Sequence, residues 1–309
     1  MKILYGNDNN NIDVTSYCIN NLLENNKIYI PPNEKIRNIL FSDPCPNLPK
    51  KIFVQNNDNS IFIDCENDKE LNIHIKNSDN IYNIHKQLFI NYGSFNDELP
   101  EQRLSYNFLT GNEKVLEIGG NIGRNSLVIA KLLNDSKNLV VLESDKENAK
   151  KLNENKELNN FNFHIEDKAL SSKKLIQLGW KSKVSDVLID GYFWVDICNY
   201  NYIIDKYNII FDTLIIDCEG AFYYILNDFP EILNNINLII MENDYEDINN
   251  YNYVKNTLIT NNFMCVYAEF LAQAKWSPCV NRFFEVWKKN INHNSLDIYV
   301  SSNLYPNFL

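Results

Sequence analysis

Seven residues carry the chemistry that this sequence offers at regular spacing. Glu117, Gly119, Asn121 and Gly123 form an E-x-G-x-N-x-G turn within VLEIGGNIGRNSLVIA, Glu143 ends the run LVVLE, and Asp217 and Glu219 stand in TLIIDCEG. A glycine-rich turn between a strand and a helix lets the backbone approach a nucleotide. The dinucleotide fingerprint asks for glycine at its first, third and sixth positions. Counted from Gly119, the third is Asn121 and the sixth is Arg124, so the fingerprint fails at two of three places. An arginine at the sixth position would also crowd the helix–strand contact that a glycine permits. The turn offers carboxylates at strand ends instead, which suit a cationic ligand better than a pyrophosphate. Glu143 follows about twenty residues on, where an acidic side chain accepts ribose hydroxyls.

These residues need a scaffold, and the hydrophobic pattern supplies one. From about Leu109 to Lys289 short apolar runs alternate with helical stretches: KVLEIG, LVVLE, FNFHIE, TLIID and NLIIME read as strands, RNSLVIAKLL, DKENAKKLNENKELN and FYYILNDF as helices. Strands of this kind separated by helices predict a parallel sheet covered on both faces. FMCVYAEF and RFFEVWKK, joined by a Pro-containing loop, predict an antiparallel pair at its edge. Pro100 in ELPEQRLSYNFLT suits the first turn of a helix leading into the first strand. Residues 1–80 differ, with strand-like runs IYIP, KKIFVQ, SIFIDC and LNIHI between Asn, Asp and Pro clusters, and no long helix after DVTSYCINNLL. The expected division is therefore a β-rich domain over 1–80 and a Rossmann-like domain over 81–309.

Bulk properties narrow the classes of function. The chain of 309 residues is 45% hydrophobic, enough for a packed core, and carries a net charge of −11. That balance disfavours nucleic acid, whose phosphates select basic surfaces. Seven scattered cysteines without a C-x-x-C pair read as free thiols in a reducing, cytoplasmic compartment. The four histidines form no ligand spacing, so no motif asks for a metal, and His164 reads as a core residue. MKILYGNDNN turns polar too soon for a signal peptide, and the apolar runs are too short to span a bilayer, so no membrane partner is expected.

The E-x-G-x-N-x-G turn with Glu143 resembles the cofactor site of class I S-adenosylmethionine-dependent methyltransferases. In that fold Glu117 serves the cationic methionine end, directly or through water, and Gly119 and Gly123 leave room for the methionyl and ribose parts. EDKALSS after the third strand borders the adenine, with Asp167 or its neighbour Glu166 meeting the amino group and Ala169 in the same turn. The resemblance narrows further. DTLIIDCEGAFYYIL, ALS and NLIIMEND, in that family's order from roughly Pro100 to Trp287, are similar to the FkbM-type methyltransferases. GGNIGRN, DCEGAFYYI and LIQLGW resemble the versions carried by large DNA viruses, which would place the protein in host cytoplasm or virion. One departure is Gly120, where many relatives have Ala, a change that reads as conservative.

The family implies S-adenosylmethionine as methyl donor and a hydroxyl of a glycan, sugar or other polyhydroxylated small molecule as acceptor. Asp217 is the candidate nearest the methyl and the incoming hydroxyl. Glu219 would orient substrate, structure the Gly220 turn or cap the next helix. Glu242 is a third acidic neighbour, followed by Asn243 and Asp244 at the rim, and Glu101 approaches from above. Trp180, Trp194 and Trp276 would stack on a sugar face or simply pack. YGNDNNNIDVT, KIYIPP and DPCPNLPKKIFV resemble a β-domain of some J-domain-type proteins, which implies a binding or scaffolding accessory; a plain β-extension is the alternative. Two other readings remain open: a non-catalytic scaffold using the β-module, which the intact set of seven site residues argues against, and an RNA or cap methyltransferase.

Overall fold

The computed structural model describes residues 2–55, 61–76, 81–289 and 295–301. The chain divides into two compact units, one of residues 1–78 with 290–309 and one of Asp79–Lys289.

The larger unit is built on a seven-stranded sheet: β1 (Val115–Ile118), β2 (Leu139–Leu142), β3 (His164–Glu166), β4 (Thr213–Ile216), β5 (Leu238–Glu242), β6 (Phe263–Glu269) and β7 (Phe284–Lys289), in the order β3-β2-β1-β4-β5-β7-β6. The first five are mutually parallel, and β7 runs antiparallel to both β5 and β6. A parallel sheet with an antiparallel pair at its edge is what the strand pattern predicts. β1, β2 and β4 are buried along their whole length, which explains their unbroken apolar runs.

The helices start where local chemistry tells them to. Asp145 accepts the amides of Glu147 and Asn148 at the head of the helix Lys146–Leu158, and Asp247 accepts that of Asn249 before Ile248–Thr260. Pro100 sits in the first turn of Leu99–Phe108, as expected. Between β3 and β4 the strands Leu175–Leu178, Lys181–Val184 and Phe193–Val195 form a separate antiparallel sheet that the hydrophobic pattern does not announce.

The smaller unit holds two four-stranded sheets. One orders Asn11–Asp13, Lys2–Gly6, Lys51–Gln55 and Ile61–Glu66; the other Ser295–Ser301, Glu70–Lys76, Lys27–Ile30 and Leu23–Glu24. An eight-residue helix, Glu34–Phe41, was not evident in the sequence. The C-terminal strand departs from the expected single boundary, whose residue 80 lies outside the described residues. Ser295–Ser301 pairs in parallel with Glu70–Lys76, setting Leu296 beside Leu71 and Ile298 beside Ile73, all buried. Pairing across more than two hundred residues leaves no local trace.

The structure also corrects the reading of Gly120 as an easy exchange for Ala. A Cβ there would lie 2.1 Å from Val141 Cγ1 on β2. Gly120→Ala is expected to cost about 1–3 kcal/mol by overpacking and to lower the melting temperature, with Val141→Ala in the same chain recovering part of the loss. Differential scanning calorimetry of the two variants checks this; an unchanged melting point for Gly120→Ala would contradict the steric argument.

Candidate active site

A cavity of about 300 Å³ opens at the C-terminal ends of β1, β2, β4 and β5, where open α/β sheets bind ligands. Its floor depends on Gly119. That residue has φ +93°, and a Cβ on it would lie 1.5 Å from the carbonyl oxygen of Asp217, so no other side chain fits. The amides of Gly119 and Gly120 both donate to Leu142 O, tying the turn to the end of β2.

Glu143 lines the cavity with both oxygens already held. Oε2 accepts from Asn121 N at 2.7 Å and Oε1 from Asp145 N at 2.8 Å. Burial raises its pKa although these amides favour the charged form. Asn121 also lines the cavity, its Nδ2 donating to Glu98 Oε1 at 3.1 Å. Glu98, a left-handed residue with φ +54°, receives Arg124 Nη1 at 2.6 Å as well. Arg124 is thereby drawn to Glu98 rather than into the helix–strand contact. Glu98 belongs to no motif, and the sequence offers no signal for it.

Other expected residues fall differently. Glu117 is only 3% exposed, does not line the cavity, and has Oε2 without a hydrogen-bond partner. Burial, more than its acidic neighbours, pushes its pKa up to about 8. Gly123 is likewise outside the cavity: a Cβ there would meet Leu152 Cδ1 at 2.3 Å, so its smallness serves helix packing rather than a ligand. Asp167 is exposed and away from the cavity, whereas Ala169 and Lys168 line it. Glu166 is engaged by Lys168 at 2.5 Å, Lys206 at 2.6 Å and Tyr207 at 2.8 Å. Burial works against its charge, but these donors hold its pKa below the usual value. His164 is half-buried with its ring against Tyr207, and burial lowers its pKa.

Asp217, Glu219 and Glu242 all line the cavity. Glu219 takes a left-handed φ of +53° and neither caps the next helix nor ties the Gly220 turn. Asp244 does the latter, accepting Gly220 N at 2.7 Å. Asn243 is fully buried, donating from Nδ2 to Arg282 O and from its amide to Phe283 O, and so belongs to the core rather than to the rim. Of the three tryptophans only Trp180 lines the cavity, beside Gln177 and Ser182 of the small antiparallel sheet. Ser144 Oγ donates to Gln177 Oε1 at 2.8 Å and pins that sheet to the end of β2.

The fold gathers what the sequence kept apart. Glu101 in the helix Leu99–Phe108, Asp217 after β4 and Glu242 ending β5 each place a carboxylate oxygen within 4.8 Å of the others, a spacing that could also hold a metal ion. Burial first, and mutual repulsion second, raise Glu101 and Asp217 well above ordinary carboxyl values. Burial likewise takes Glu242 to about 7. Three carboxyls this close cannot all ionise without a counter-charge, which a shared proton or a divalent cation would supply.

No family model and no curated protein matches the chain. Among solved structures, an O-methyltransferase from Bacillus cereus in complex with SAH is 13% identical, covering 68% of this chain and 88% of that one at a TM-score of 0.40. A methyltransferase from Pyrococcus furiosus is 17% identical, covering 65% and 89% at a TM-score of 0.39. Likenesses this distant decide nothing about what this chain binds or modifies.

The state of Glu117 is open to measurement. Its carboxyl keeps a proton up to about pH 8 when folded but ionises near 4.5 when exposed, so the folded chain binds the extra proton between those values. Stability is therefore lost as pH rises through that window. Chemical denaturation at several pH values should show a shallower loss for Glu117→Gln than for wild type; equal slopes would contradict the buried neutral acid.

Proposed function

We propose that the Asp79–Lys289 unit is an S-adenosylmethionine-dependent methyltransferase of FkbM type that methylates a hydroxyl of a sugar, glycan or similar polyhydroxylated acceptor. The observation that carries this reading is one cavity lined by both the clamped Glu143 and the Asp217–Glu242 pair. The first is suited to a ribose and the second to a hydroxyl that must lose a proton.

The residues fit the cofactor. Glu143 would accept the ribose hydroxyls with the lone pairs its two amides leave open. Leu142, Ala169 and Leu170 give an apolar wall for the adenine, and Glu98 with Asp217 faces the cationic methionine end. Gly119 lets the turn close on the Asp217 carbonyl at the cavity floor, and the orphaned Glu117 Oε2 behind the turn is an acceptor suited to a bridging water. When bound, the cofactor supplies an electrophilic methyl on a sulfonium whose departure needs no acid.

The chain's own part is to align the acceptor and manage its proton. Alignment supplies several of the roughly 7–11 kcal/mol available from proximity. Asp217, the residue expected from sequence to be nearest the reacting hydroxyl, is pushed up by burial, which favours its protonated form and suits it to donate to the acceptor. Glu242, with its pKa near 7, takes the hydroxyl proton and becomes neutral; Glu101 behind it hydrogen-bonds the charged form that Glu242 has before the transfer. Trp180 offers a flat apolar face at the cavity wall. Five carboxylates and one lysine line this cavity, a field that repels phosphate-bearing acceptors and counts against an RNA substrate. For the smaller unit we retain the reading of an accessory binding module.

Calorimetric titration with S-adenosylmethionine and S-adenosylhomocysteine tests the cofactor. Binding should be clear in wild type and at least roughly tenfold weaker in Glu143→Ala, which loses a pair of charge-assisted hydrogen bonds; absence of binding in folded wild type would sink the assignment. With a sugar acceptor identified, kcat should rise with pH through about 7 and level off, because the active form of Glu242 is the deprotonated one. Glu242→Gln should remove that rise and lower kcat by roughly 10²–10⁴-fold. A chelator should leave the rate unchanged; inactivation reversed by added divalent cation would transfer the three carboxylates from proton sharing to metal binding.

A further inference from the structure

The motif gives the cationic methionine end of the cofactor to Glu117, and the fold takes that residue out of reach. Glu117 is buried behind the glycine turn and does not line the cavity. Asp217 does line it, but burial pushes that carboxyl toward its protonated form, and Glu101 and Glu242 crowd the same place. Glu143 is clamped at the end of β2, suited to the ribose. Of the five carboxylates lining the cavity, Glu219 alone is exposed. Glu98 is the one left without a part.

That residue is built into place. Its Oε1 receives Arg124 Nη1 at 2.6 Å and Asn121 Nδ2 at 3.1 Å, while Oε2 accepts no hydrogen bond among the described residues. The turn before it is pinned from the helix Leu99–Phe108. There Gln102, fully buried, donates from Nε2 to Asp97 O at 2.7 Å and to Glu98 O at 3.2 Å. From the helix Lys146–Leu158, the buried Asn155 accepts the Asn91 amide on Oδ1 and donates from Nδ2 to Ile122 O, each at 2.8 Å. The segment from Asn91 to Glu98 is thereby fastened to the glycine turn at Ile122 and again at Asn121 and Arg124. Glu98 keeps a left-handed φ of +54°, which a glutamate holds only where its surroundings impose it.

The local charges ask for a cation. Arg124 meets Asp97 Oδ2 at 3.6 Å as well as Glu98, one guanidinium against two carboxylates. One negative charge is left over, on a side chain whose second oxygen has open lone pairs at a cavity wall. An ammonium group matches it, and an anionic ligand group would be repelled. Arg124 is also the residue that breaks the dinucleotide fingerprint; a glycine there would leave Glu98 without its shortest contact. We propose that Glu98 takes the α-ammonium of the cofactor's methionine part, with Arg124 and Asn121 as the positioning residues that aim it. The cavity then selects an adenosyl ligand that carries a free amine, a selectivity that rests on the cofactor reading above.

The test is calorimetric titration of the full chain with S-adenosylhomocysteine and with its desamino analogue, which keeps the adenosyl group, the thioether and the carboxylate but lacks the amine. Wild type should bind S-adenosylhomocysteine roughly tenfold or more tightly than the analogue. In Glu98→Gln, which keeps the shape and removes the charge, S-adenosylhomocysteine should weaken to the level of the analogue, whose own affinity does not fall. Glu117→Gln should leave the preference intact. Arg124→Leu should reduce the preference and Arg124→Lys restore part of it. In the Glu98→Gln background Arg124→Leu should cost no further affinity, because the arginine acts through the glutamate. If Arg124→Leu does not fold, Glu98→Gln decides the matter. Equal affinity of wild type for the two ligands, or an undiminished preference in folded Glu98→Gln, overturns the proposal. A preference lost in Glu117→Gln and kept in Glu98→Gln overturns it in favour of the motif residue. Absence of S-adenosylhomocysteine binding by folded wild type strikes the cofactor reading and this one together, whereas binding that Glu98→Gln leaves untouched strikes this one alone.

Discussion

The larger unit depends on one close approach: the carbonyl of Asp217 occupies the place where a Cβ on residue 119 would be. β1 and β4 are neighbours in the sheet, and the chain leaves them toward different elements, so the sheet opens between the two turns. Only a glycine lets the turns meet there. The amides of Gly119 and Gly120 then reach Leu142 O, the end of β2 is fixed, and Glu143 arrives within reach of Asn121 N. The cavity, the clamp on Glu143 and the position of Asp217 all follow from that contact.

Around it the fold sorts carboxylates by what surrounds each one. Glu166 sits among two lysines and a tyrosine and stays charged. Glu143 is held by backbone amides, which orient it without cancelling its burial. Glu117, with no hydrogen-bond partner on Oε2, is raised by burial to about 8. Burial raises Glu101, Asp217 and Glu242 together, and takes Glu242 to about 7, into the range where a proton moves at neutral pH. The same carboxyl group is thus held charged, clamped by amides or pushed toward its protonated form by environment alone.

The small antiparallel sheet links the cavity to the outside. Its inner residues close the ligand space, and Ser144 anchors it through Gln177. Its outer loop spends three apolar side chains on solvent.

Local patterning determined much of this protein. The unbroken apolar runs of β1, β2, β4 and β5, the aspartate caps of the helices and the glycine at position 119 are short-range signals, and they specify the parallel sheet and the turn that opens it. Glu143 was legible for the same reason, since a strand end about twenty residues past a glycine turn has little choice of place. Tertiary structure alone decided the rest. It put Glu117 and Asn243 in the core, gave Gly123 to helix packing, left Asp167 in solvent, and brought Glu98 to the cavity from a loop without a motif. It also assembled Glu101, Asp217 and Glu242, and returned residues 295–301 to the first unit. Period and spacing report which face a residue takes within its own element; which distant elements meet, and so which charges share a cavity, is settled only when the chain packs.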